Sequence, residues 1–66
     1  MKVEDIKKLP KNFSFKSTIN KFGILYHAEE TKHGYKVTCD CNTRGWEFSK
    51  EEFHRKLFNN EYVVCS

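Results

Sequence analysis

The chain has 66 residues, of which 15% are aromatic and 38% hydrophobic, and carries 12 basic against 9 acidic side chains for a net charge of +3. That length suits one domain, residues 1–66, whose folding buries only about 60% of the surface the unfolded chain exposes. It leaves little room for a substrate cleft, and no stretch approaches the roughly 18 apolar residues that a membrane span needs. The charge is uneven: six lysines against Glu4 and Asp5 give residues 1–21 a net +4, while six basic against seven acidic groups give residues 22–66 a net −1. So small a surplus argues against a dedicated nucleic-acid domain, where a pI above about 9 and clustered Lys/Arg are expected. The N-terminus lacks the apolar run of a signal peptide, and three cysteines do not make a disulfide framework. A soluble, cytoplasmic chain with reduced thiols is expected.

Val3, Ile6 and Leu9 recur at three-residue spacing and predict a short amphipathic helix over residues 3–9, stopped by Pro10. Phe13, Phe15, Ser17 and Ile19 then alternate with Ser14, Lys16 and Thr18, the period of a strand. After a turn at Asn20-Lys21, a second strand is expected over residues 22–29, with Tyr26 and Ala28 on one face and Leu25 and His27 on the other. Residues 30–34 have the length and closing glycine of a hairpin loop. The returning strand alternates cleanly, with Tyr35, Val37, Cys39 and Cys41 on the buried side. Asn42 to Gly45 read as a tight turn, Asn first and Gly last, followed by a short strand through Trp46 and Phe48.

Several local rules converge on the main helix, about residues 49–59. Ser49 and Glu52 have the spacing of a capping box, and Phe48 and Phe53 that of a hydrophobic staple across the helix start. Glu51 and Glu52 precede Arg55 and Lys56, the order the helix dipole favours. Asn59-Asn60 suit the helix end, and Tyr62 to Cys65 the last strand. The expected fold class is α+β: a small antiparallel β-meander of three to five strands, the main helix packed on one face by Phe53 and Leu57, and a short N-terminal helix.

Three groups of residues bear on function. Cys39 and Cys41, two apart on a strand, project to one side, and with His54 and Cys65 they form the alternative of a zinc-stabilised mini-domain. The spacing is not that of a zinc finger, and buried apolar cysteines are the simpler reading. Pairing either cysteine with His54 for nucleophilic chemistry needs an electropositive, accessible pocket that nothing in the sequence indicates, so no enzyme is expected. Lys11, Lys16 and Lys21 interleave with Phe13 and Phe15, a pattern for stacking and phosphate contact on single-stranded nucleic acid. Core rings with solubilising lysines on an edge strand are the plainer account. Finally, the rings exceed what one thin core needs, and Trp46, Tyr26 and Tyr62 are the residue types that anchor protein interfaces. The function expected is therefore a small non-enzymatic binding module that docks on another protein as an inhibitor or adaptor, or on a second copy of itself. The usage of Lys, Asn and Phe, with no glutamine, fits a bacterial or phage source.

Overall fold

The computed structural model describes residues 1–19, 23–40 and 42–65, the side chain of Asn42 excepted. The element order is α1 (Val3–Lys7), β1 (Asn12–Ser17), β2 (Leu25–Glu30), β3 (Gly34–Cys39), β4 (Asn42–Ser49), α2 (Lys50–Phe58) and β5 (Tyr62–Cys65). The strands form one antiparallel sheet in the order β4-β3-β2-β1-β5. Thus β1 to β4 run as a meander, and α2 crosses the sheet to bring β5 alongside β1. β4 and β5 are the two edges. No helix among the described residues is long and apolar enough to cross a membrane.

The main helix starts and stops as its sequence dictates. Ser49 Oγ accepts the backbone N–H of Glu52 at 3.1 Å, and the rings of Phe48 and Phe53 meet edge to face at 6.0 Å. At the far end Asn60 takes a left-handed φ of 60°, the Asn60 N–H donates to Leu57 O and the Glu61 N–H to Lys56 O, the two bonds of a Schellman motif. The Met1 ammonium donates to Leu57 O at 3.0 Å and Asn60 Oδ1 at 2.7 Å, placing a positive charge where the helix dipole is negative.

Period-two alternation sorts the sheet into two faces. Phe13 and Phe15 of β1, Tyr26 and Ala28 of β2, Tyr35, Val37 and Cys39 of β3, Trp46 and Phe48 of β4, and Tyr62 and Val64 of β5 share the face that α2 covers. Phe53 and Leu57 of α2 are fully buried on it. The other face carries Ser14, Lys16, Leu25, His27, Glu29, Lys36, Thr38 and Val63. α1 adds Ile6 to the core and packs on α2.

Four boundaries differ from those the sequence predicts. β1 ends at Ser17, short of the expected Ile19, which is 71% exposed. α1 ends at Lys7 rather than Leu9, with Lys8 as its cap. β2 begins at Leu25, because Gly23 adopts φ +67°, a conformation that interrupts an extended run; the expected turn at Asn20-Lys21 lies outside the described residues. Asn42 to Gly45 are not a turn: the reversal falls between Cys39 and Asn42, and β4 already runs through them. Thr43 to Gly45 lie opposite Thr38 alone, a bulge in which Gly45 takes φ +76° against the Val37 carbonyl.

Replacing Phe53 by Ala is expected to cost on the order of 3–5 kcal/mol in urea denaturation, most of what a domain of this size has. Phe58→Ala, on the same helix but 56% exposed, is expected to cost less than about 1 kcal/mol. Equal costs for the two would contradict the packing described.

Candidate aromatic cleft

Phe53 meets five other rings: Tyr35 at 4.6 Å, Phe15 at 5.3 Å, Tyr62 at 5.5 Å, Phe13 at 5.9 Å and Phe48 at 6.0 Å between centroids. Two of these stand on opposite edges of the sheet, Phe48 on β4 and Tyr62 on β5, yet they contact each other edge to face at 6.4 Å. A flat sheet would hold its edge strands about four strand spacings of ~4.8 Å apart. The sheet is therefore curled around the Phe53 ring.

The curl leaves a cleft of about 250 Å³ on the same face, lined by Ser17, Tyr26, Val37, Trp46, Phe48 and Tyr62. Every strand contributes and α2 contributes nothing. Val37 is buried beneath it, whereas Trp46 remains 44% exposed at the β4 edge, 6.3 Å from the Tyr26 ring. Tyr26 stacks in turn on the buried Phe15 at 5.4 Å. On the β5 side, Lys56 holds its ammonium 5.5 Å from the centre of the Tyr62 ring. Burial pushes the Tyr62 phenol above its ordinary pKa, and Tyr26, Glu61 and Glu52 push it the same way.

The three residues singled out as interface anchors, Trp46, Tyr26 and Tyr62, thus come together in one cleft. Phe48 and Ser17 join them without having been expected there; the alternation of β4 and β1 marks their face, but nothing local marks their convergence.

Among the described residues the fold separates several members of the other constellations. Phe15 is buried at 1% exposure and Phe13 packs against the same core, so neither ring is presented to a base. Lys16 lies on the opposite face and Lys11 is exposed before β1, while Lys21 lies outside the described residues. The sheet itself separates Phe13 and Phe15 from Lys16. Of the candidate metal ligands, Cys39 is buried on the helix side and Cys65, paired with Ser14, sits on the other side. His54 shares a hydrogen bond with the Tyr35 hydroxyl at 3.0 Å, and Cys41 lies outside the described residues. Among the described residues no group of three or more His, Cys, Asp or Glu side chains is placed to hold a metal ion. The open face does carry a contact between Ser14 Oγ and His27 Nδ1, 3.0 Å apart and exposed.

Fold and cleft together define the class: a small α+β domain whose curled antiparallel sheet presents an aromatic cleft beside its helix. Comparison with protein-family models, with curated proteins and with solved structures finds no match to this chain.

The surroundings of His54 make stability depend on pH. Burial lowers the His54 pKa and Lys50 lowers it further, against an opposing pull from Glu30. A histidine kept neutral by the fold favours the folded state above its unfolded pKa of about 6.5, and that contribution is lost as pH falls through and below this value. Urea unfolding is therefore expected to show stability declining between about pH 7.5 and pH 5, with a shallower decline in His54→Gln. An unchanged slope in the variant would assign the dependence elsewhere.

Proposed function

We propose that this chain is a non-catalytic binding module that seats a segment of another protein in the cleft between Trp46 and Tyr62, in the manner of an inhibitor or adaptor. The observation that carries the reading is Trp46. The largest side chain in the sequence stands 44% exposed on an edge strand in a domain short of core, and it opens onto a cleft instead of filling one. Full burial of a large apolar side chain is worth about 1.5–3 kcal/mol, and a partner's surface would supply the part that Trp46 still lacks. Tryptophan and tyrosine in a pocket are the usual anchors of protein interfaces. Catalysis fits less well, because the cleft is lined by rings and one serine, while the Ser14–His27 contact lies on the opposite face. The free thiols of Cys39 and Cys65 suit a reducing compartment such as the cytoplasm.

The test is a capture experiment with matched variants. Protein captured by the native chain from a host lysate is identified, and its affinity is then measured against Trp46→Ala and Leu25→Ser, the latter on the open face. Trp46→Ala is expected to weaken binding tenfold or more, about 1.4 kcal/mol or above, with Leu25→Ser close to native. Binding untouched by Trp46→Ala in a chain that still folds, or lost only in Leu25→Ser, would overturn the assignment.

A further inference from the structure

We propose that the partner segment is an extended strand that adds antiparallel to the free edge of β5 and sets one apolar side chain in the cleft. This deepens the binding reading above and rests on it.

The backbone of β5 comes first. The Thr18 N–H donates to Glu61 O at 2.8 Å, in register with the pairs that join β1 to β5. In an antiparallel ladder alternate residues bond to a given neighbour, so Glu61, Val63 and Cys65 turn their N–H and C=O groups to β1, and Tyr62 and Val64 turn theirs away. β5 pairs with β1 alone, which leaves the groups of Tyr62 and Val64 as an open edge. Beside them lies a recess of about 230 Å³ lined by Met1, Asn60, Tyr62, Val63 and Val64. Consecutive strand side chains point to opposite faces, so three in a row share a recess only along the strand's edge.

The two edges of the sheet are unlike. β4 has the bulge at Gly45 and carries Arg44 and Glu47, features that discourage pairing with another strand. Tyr62-Val63-Val64-Cys65 has no charge, no proline and no bulge. Because the curl brings Tyr62 to Phe48, the strand position beyond β5 lies at the mouth of the cleft. A partner residue paired with Tyr62 points to the same face, towards Trp46. Among the described residues no charged side chain lines the cleft, so a charge entering it would go unpaired, and its 250 Å³ falls below the roughly 300–1,000 Å³ of sites that enclose a whole small molecule. One apolar side chain fits. A second copy of this chain supplies none: paired β5 to β5, it sets its own Tyr62 or Val64 against Tyr62, and both already pack on its own core.

Trp46 is the single tryptophan of the chain, so its fluorescence reports on this cleft. The probe is the peptide acetyl-Lys-Val-Thr-Phe-Thr-Val-Lys-amide, whose Val and Phe side chains share one face of a strand. With that face towards the cleft, the Phe N–H turns to β5 and the Thr N–H groups turn away. N-methylation at Phe therefore blocks the pairing, and N-methylation at the Thr that follows does not. The unmethylated peptide is expected to shift the Trp46 emission and to protect the Tyr62 and Val64 amides from hydrogen exchange. Methylation at Phe is expected to weaken binding about tenfold or more, and methylation at Thr by less than about twofold. Equal affinity for the three peptides, a larger loss at Thr, or binding by none would overturn the inference; equal affinity would leave an apolar cleft that takes a side chain without strand pairing. Dimers of the free chain with Tyr62 and Val64 protected would overturn it in favour of a second copy. Failure of the binding reading shows separately, as capture indifferent to Trp46→Ala.

Discussion

Phe53 is the constraint from which the rest of this structure follows. A chain of 66 residues has too little interior for a broad core, and it concentrates what it has around one ring that touches Phe13, Phe15, Tyr35, Phe48 and Tyr62. These come from β1, β3, β4 and β5, so a single side chain on α2 gathers both edge strands and the strand beside each. Aromatic pairs of this geometry add about 0.5–1.5 kcal/mol each beyond the area they bury. In a domain of marginal stability, such a hub decides both whether the sheet holds and how far it curls.

The cleft is a by-product of that curl. α2 is nine residues long, about 13.5 Å at 1.5 Å per residue, and it covers only part of the concave face. Beyond it the edge strands still converge, and Trp46, Tyr26 and Tyr62 are left around an unfilled volume. Since Phe48 and Tyr62 touch Phe53 as well as lining the cleft, the ring that stabilises the fold also sets the position of the walls. Stability and recognition are coupled through two shared side chains.

Much of the fold was legible wherever the controlling interactions are local. Ser49, Glu52, Phe48 and Phe53 announce the helix start within six residues, Asn60 announces its end, and the alternation from Tyr35 to Cys39 announces a strand with one buried face. Local composition misled at Asn42 to Gly45, because a bulge and a tight turn both need a glycine at positive φ and only cross-strand register distinguishes them. The lysines and phenylalanines of β1 read as one mixed surface in sequence, yet period-two geometry puts Lys16 and Phe15 on opposite sides. Of the cleft, residue type alone nominated Trp46, Tyr26 and Tyr62. Their convergence depends on β5 returning to pair with β1, a contact between residues nearly fifty apart in the chain that no local pattern encodes.

The most direct measurement of the central claim is a nuclear Overhauser spectrum of the aromatic protons, assigned by selective labelling of Phe and Tyr. Curling around one hub predicts cross-peaks joining Phe53 to both Phe48 and Tyr62, and Phe48 to Tyr62 across the two sheet edges. A spectrum in which Phe53 meets Tyr35 and Phe15 but Phe48 and Tyr62 show no mutual cross-peak would describe an open sheet, without the cleft.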